Sequence, residues 1–196
     1  MFQIKVVLEN IQPPVWRGLL VPGGTKLDRL HEVLQTAFGW TDSHLHHFYT
    51  GDRRGGMTFY GTPDPENDFS DTPEEDERRY TLCDLAPRKG GTLVYEYDFG
   101  DSWTHRIKVE RVLGGEEAGP TPRCTGGARA CPPEDVGGPW GYQEFLDALS
   151  DPANEDRDEL LAWAGGSFDP EAFDSGAINT ALARRARGRV RGAGPR

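Results

Sequence analysis

Residues 92–110 constrain the fold more than any other stretch of this chain. Leu93, Tyr95, Tyr97 and Phe99 recur at every second position, and beyond the Gly100-Asp101-Ser102 turn Trp103, His105, Ile107 and Val109 do the same. Side chains two apart on an extended strand share a face, so the segment reads as a β-hairpin with one aromatic, inward face. Thr104, Arg106, Lys108 and Glu110 then turn outward. At the tip, Gly100 is expected to take the positive φ, with Asp101 and Ser102 bonding local amides and Trp103 anchoring the return strand.

The same alternation opens the chain. Phe2, Ile4, Val6 and Leu8 face away from Gln3, Lys5 and Glu9, and Val15, Arg17, Leu19 and Val21 follow the turn residues 10–14, giving a first hairpin. A capping-box-like start at Thr25 to Asp28 leads into Leu27, Leu30, Val33, Leu34, Ala37 and Phe38 at helical spacing, and Gly39 ends the run. Residues 44–49 and 56–60 read as short strands around a Gly-rich turn. Residues 64–77 hold eight acids and read as a flexible surface loop. A short connection at 81–85 precedes the aromatic hairpin, and a Gly/Pro-rich excursion over 114–139 follows it. Helices are expected from Tyr142, Phe145, Leu146 and Leu149, and again around 155–164. This order predicts an α+β fold: a mixed, curled sheet around one main helix, β-grasp-like in its order of elements, with a C-terminal helical elaboration. The expected organisation is a single domain over 1–183 and a basic disordered tail over 184–196.

A chain of 196 residues can bury its core without disulfides or metal, and five Trp, six Tyr and nine Phe offset its scarcity of aliphatics. No leader-like segment or apolar run long enough to span a bilayer is visible, so the expectation is a soluble, cytoplasmic protein without membrane partners and with reduced cysteines. Residues 184–196 carry six Arg and no acid, whereas the other 183 residues carry 16 basic and 32 acidic groups, or −16. Such a body repels duplex nucleic acid, and only the Arg tail offers it a weak contact.

Four blocks stand out: Gly-Trp-Thr-Asp-Ser-His-Leu-His-His-Phe at 39–48, Tyr-Asp-Phe-Gly-Asp-Ser-Trp-Thr-His at 97–105, Cys-Pro-Pro-Glu-Asp-Val-Gly-Gly at 131–138 and Phe-Asp-Pro-Glu-Ala-Phe-Asp at 168–174. In this order, over about residues 2–175, the chain resembles the plasmid pRiA4b ORF-three-like family. The resemblance implies an α+β protein of bacteria, archaea and mobile elements, sometimes labelled a transposon passenger or resolvase-like product, with no activity attached. A serine recombinase needs a nucleophilic Ser among clustered arginines and a DNA-reading helix-turn-helix, and neither is legible. Gly100-Asp-Ser102 resembles the serine motif of some esterases, but those place the Ser early and its His late, whereas the last His here is His105.

Candidate site residues remain. His46, Asp98, Asp101 and His105 could form one cluster in which imidazoles and carboxylates bind a divalent metal or move protons; the alternative is a buried neutral His that only hydrogen-bonds. Cys124 and Cys131, six residues apart in a Gly/Pro loop, could clip it through zinc with ligands from elsewhere. The family resemblance weakens that site, since some relatives carry a further Cys where Val136 stands here; the family also often has a His near Asn154. Glu134 and Asp135 could hold a cation or receive an amide. Asp169 is expected to cap a helix with Pro170 at its first position and Phe168 and Phe173 as staples. The leading functional expectation is a non-enzymatic interaction or ligand-binding module with a protein or small-molecule partner. The rivals are a metal-dependent hydrolase or nuclease built on His and carboxylates, and a regulator whose Arg tail touches nucleic acid.

Overall fold

The computed structural model describes residues 1–52, 55–63, 74–114 and 122–192. The elements in chain order are β1 (Phe2–Leu8), β2 (Trp16–Val21), α1 (Leu27–Phe38), β3 (His46–Asp52), β4 (Gly56–Gly61), β5 (Glu75–Asp76), a 3-10 turn (Glu77–Arg79), α2 (Leu82–Leu85), β6 (Thr92–Tyr97), β7 (Trp103–Val112), β8 (Arg123–Ala128), α3 (Gly138–Ser150), α4 (Arg157–Trp163) and α5 (Ser175–Gly192). The strands form one sheet in the order β5-β4-β3-β6-β7-β1-β2-β8. Each pairing is antiparallel except β4 with β5, so the α+β class holds and the sheet is mixed only at one edge.

The alternation read from the sequence is the alternation that is buried. Ile4, Val6, Leu8, Leu93, Tyr95, Tyr97, Trp103, His105, Ile107 and Val109 are at most 1 % exposed, and Leu27, Leu30, Leu34 and Phe38 of α1 belong to the same core. Phe99 is a correction. It lies beyond β6 and is 45 % exposed, because Asp98 takes φ 58° and closes the turn by accepting the Ser102 amide. The left-handed positions of this tip are Asp98 and Ser102, not Gly100; the Asp98 carboxylate accepts the Gly100 and Asp101 amides, local bonds that let an Asp hold that conformation.

Three helix boundaries also differ from expectation. α1 has no capping box: its N-cap is Lys26, and the backbone of residues 80–82, distant in sequence, closes the end instead, with the Leu27 amide on Tyr80 O and the Leu82 amide on Thr25 O. The capping box belongs to α2, between Thr81 and Asp84. Asp169 accepts the Glu171 amide on its side chain and the Ala172 amide on its carbonyl, in a turn; the residue that caps a helix is Asp174, which takes the Gly176 and Ala177 amides at the head of α5. Phe173 is thereby free to cover Arg17 instead of stapling a helix. α5 itself runs through the 183/184 boundary to Gly192, where Ala and Arg, both strong helix formers, alternate. Asn179 docks it by bonding both backbone groups of Cys124, which shields the edge strand β8. Residues 193–196 of the expected tail and 64–73 of the expected acidic loop lie outside the described residues.

Arg17 fixes the seam between these parts. It is 4 % exposed, and its guanidinium donates to Ala37 O at 3.0 Å, Trp16 O at 2.8 Å, Ala128 O at 2.9 Å and Arg129 O at 2.9 Å, between the rings of Phe38 and Phe173. No carboxylate of the described residues lies within ion-pair distance of it. Arg17→Ala strands these carbonyls in the interior and should cost about 3 kcal/mol or more, with Arg17→Lys intermediate, read as shifts of the urea midpoint. A midpoint within about 0.5 kcal/mol of the parent would show that the seam does not depend on this side chain.

Candidate functional site

The helix α1 ends at Gly39, whose φ of 89° is the left-handed stop the sequence predicts, and the chain then crosses to β3 through the first motif block. Hydrogen bonds stitch that block to two others. The Trp40 indole donates to Pro132 O at 3.0 Å, and the Glu134 carboxylate accepts from the Thr41 amide, the Thr41 hydroxyl and the Tyr97 hydroxyl. Tyr97 in turn accepts the Ser43 amide at 3.0 Å, and Asp101 accepts the Gly137 amide at 3.1 Å. Burial, then the Glu134 carboxylate, pushes the Tyr97 phenol above its ordinary pKa, so it stays protonated.

Within this frame Asp42, His44 and His46 alternate along the chain and are dealt to two clusters. In the first, the buried Nε2 of His44 faces Asp135 at 3.1 Å and Asp98 at 3.6 Å without a well-directed hydrogen bond to any described residue. One ligand atom from each of the three lies within 4.8 Å of the others. The Asp135 side chain is 69 % exposed, so the cluster opens to solvent on that side. Asp135 also lines a cleft of about 620 Å³ between α3 and α4, with Glu144, Asp156, Glu159, Phe145 and Trp163 among its walls.

The second cluster combines His31 of α1, Asp42 and His46, again with ligand atoms within 4.8 Å. His31 Nε2 is 2.8 Å from Asp42, His46 Nε2 is 3.0 Å from Glu77, and the two imidazoles stack with centroids 3.5 Å apart. Burial, then the neighbouring His46, pushes His31 down to about 4, so its imidazole is neutral at pH 7. The candidate ligands Asp42, Asp98 and Asp135 share one backbone feature: all have positive φ, at 63°, 58° and 60°.

The four residues grouped by sequence are therefore distributed. Asp98 belongs to the first cluster, His46 to the second, and Asp101 serves the Gly137 amide while its own amide rests on Asp98. His105 shares the sheet face with His46, each against Tyr95, but is fully buried with its Nδ1 on Trp103 O and its ring against Phe38 and Trp40. Cys124 is buried and donates to Gly126 O, burial raises both the Cys124 and Cys131 thiol pKa values, and neither joins a three-ligand cluster among the described residues. His31, Asp42, Glu77 and His44 are the additions. The signal for His31 was its i,i+4 partnership with Gln35 on the apolar face of α1, two polar residues at positions a core helix would give to aliphatics.

An open α+β sheet covered chiefly by α1, with His-carboxylate clusters where three sequence blocks meet, defines the class. The match is to the family described as "Plasmid pRiA4b ORF-3-like protein", over residues 1–177, and this chain belongs to that family. It is 44% identical over 184 residues, 92% of this chain and 89% of the relative, to "Uncharacterized protein y4hQ" of Sinorhizobium fredii (strain NBRC 101917 / NGR234). It is also similar to a crystal structure of MM3350, a protein of unknown function from Methanosarcina mazei Go1, with TM-score 0.78 and 34% identity, covering 89% of this chain and 94% of that one.

His105 makes a titration testable. Burial pushes its pKa down to about 3 in the folded chain, against about 6.5 when unfolded. The folded state thus binds fewer protons in this window: its stability contribution is complete above pH 6.5 and is lost as pH falls from 6.5 towards 3, by up to about 1.4 kcal/mol per pH unit. Urea midpoints measured from pH 7 to 4 should fall less steeply in His105→Gln than in the parent. Equal slopes would contradict a neutral buried imidazole.

Proposed function

We propose that this protein is a ligand-binding module whose ligand is taken at a divalent cation held by His44, Asp98 and Asp135. The observation that carries the reading is the His44 ring nitrogen, buried between two carboxylates yet without a directed hydrogen bond, with both acids close enough to share one ion. One imidazole and two carboxylates suit borderline cations such as Zn²⁺, Mn²⁺ or Fe²⁺. Each ligand comes from a different motif block, so the hydrogen bonds of Glu134 and Asp101 that join the blocks also hold the ligand set together. The acidic walls of the adjoining cleft disfavour phosphate-rich partners and favour neutral or cationic ones.

A metal-dependent hydrolase is the second reading, favoured by the exposure of Asp135, which leaves coordination positions open to water. The β-grasp-like description belongs to the same proposal on the strength of element order, as do a single domain whose end near residue 183 moves outward with α5, a mobile-element setting in prokaryotes on the strength of the sequence resemblance, and a cytoplasmic location on the strength of the leader-free, span-free sequence.

Calorimetric titration with Mn²⁺ or Zn²⁺ should reveal an equivalent that depends on His44 and disappears in His44→Ala, and that weakens at least tenfold in Asp98→Asn. Unchanged binding in both variants would refute the site. Turnover of chromogenic ester or phosphodiester substrates by the metal-loaded parent, lost in His44→Ala, would select the hydrolase; binding without turnover of these selects the module.

A further inference from the structure

We infer a second cation site, formed by His31, Asp42, His46 and Glu77 and separate in its ligands from the one above. Four observations lead to it. The first is the donor set: two imidazoles and two carboxylates gathered from α1, the crossing segment, β3 and the 3-10 turn, with one ligand atom each of His31, Asp42 and His46 within 4.8 Å of the others and Glu77 at 3.0 Å from His46. Ligand bonds of about 2.0–2.2 Å can bridge such separations once one ring tilts from the stack.

The second is burial without a Lys or Arg counter-charge. The Glu77 side chain is 5 % exposed, and neither it nor Asp42 has a Lys or Arg of the described residues within ion-pair distance. A carboxylate buried in this way is costly unless paired, and its contacts here are His46 and the Thr62 hydroxyl, which donates to the other oxygen. A divalent ion held between them would balance both acids at once.

The third is an outer layer that orients the ligands. Tyr95 OH lies 2.8 Å from the second ring nitrogen of His31 and accepts from Gln35 Nε2 at 3.0 Å, while Gln35 Oε1 accepts the Asp42 amide at 2.9 Å. One glutamine thus sets both His31, through Tyr95, and the backbone that carries Asp42. Ligating imidazoles are held through their second nitrogen in this manner. The fourth is access: the Asp42 side chain is 45 % exposed while His31, His46 and Glu77 are nearly buried, so an ion enters past Asp42 into a site whose remaining ligands are fixed. Burial suits this site to a cation that stays bound, in contrast with the open His44 cluster.

The test is a Co²⁺ titration of the full chain, following visible absorption and, by equilibrium dialysis, the bound stoichiometry. Two equivalents are expected in the parent and one in His44→Ala, while Asp42→Asn and Glu77→Gln should weaken the other at least tenfold. Asp42 is half exposed, so its variant keeps the fold, and far-UV circular dichroism checks Glu77→Gln. Co²⁺ should still raise the thermal midpoint of His44→Ala, because only the folded chain assembles the ligands. A single equivalent abolished by His44→Ala and untouched by Asp42→Asn and Glu77→Gln would overturn the second site alone. A single equivalent with the opposite pattern would overturn the first and sustain the second, and no bound Co²⁺ would overturn both.

Discussion

The structure hangs on the burial of one cation, Arg17, in a cage of main-chain oxygens. A guanidinium offers five N–H donors in a rigid fork, and here carbonyls from β2, the end of α1, the end of β8 and residue 129 accept from it while two aromatic rings cover its faces. Because Ala37 O lies in the last turn of α1, it is among the helix carbonyls that lack an internal partner and carry the negative end of the dipole. Arg17 therefore does more than fill a space: it sets where α1 ends relative to the sheet. The chain leaving that end carries Trp40, Thr41, Asp42, His44 and His46, so both candidate clusters inherit their position from this contact.

The three left-handed aspartates give a reason to read those clusters chemically. Where only backbone conformation matters, Gly is the easy occupant of positive φ, and Asn and Asp are the acceptable ones through their short polar side chains, Asn without adding charge. Asp42, Asp98 and Asp135 instead carry charge at such positions, in a chain body already at −16. Asp98 offsets part of its conformational cost with two local amide bonds to one oxygen, which leaves the other oxygen facing His44. The arrangement spends conformational freedom to aim a carboxylate, and residues held in sparse backbone regions do concentrate at functional sites.

Period-two patterns made the central strands legible, since Leu93, Tyr95 and Tyr97 and their partners Trp103, His105 and Ile107 declare a face without reference to anything else. The six apolar positions from Leu27 to Phe38 did the same for α1. What failed was decided by partners distant in sequence. Thr25 looked like a cap, but a helix start can be closed by a passing backbone, and residues 80–82 do so. Phe99 continued an alternation that Asp98 had ended. The site suffered most from this. Its ligands come from residues 31, 42, 46 and 77 in one cluster and 44, 98 and 135 in the other, so no short spacing could reveal them. Glu77 was hidden among eight acids, and only the 3-10 turn after β5 directs it inward. His46 and His44 stood in a recognisable block, but only His46 begins β3, paired with Tyr97, while His44 lies in the segment before it, so they fall into different clusters.

Tyr97 is the physical reason for that division. It pairs with His46 across β3 and β6, its ring meets the edge of His44, and its hydroxyl is held by Ser43 and Glu134. With the phenol committed in this way and kept protonated, it is a partition between the clusters and not a ligand or base of either. Each side of the partition holds two carboxylates, while the described Lys and Arg residues stay beyond ion-pair distance of Asp42, Glu77, Asp98 and Asp135. An acidic body concentrates cations from solution around such points. The negative field of this surface therefore draws to it the class of ligand that imidazole and carboxylate together are able to hold.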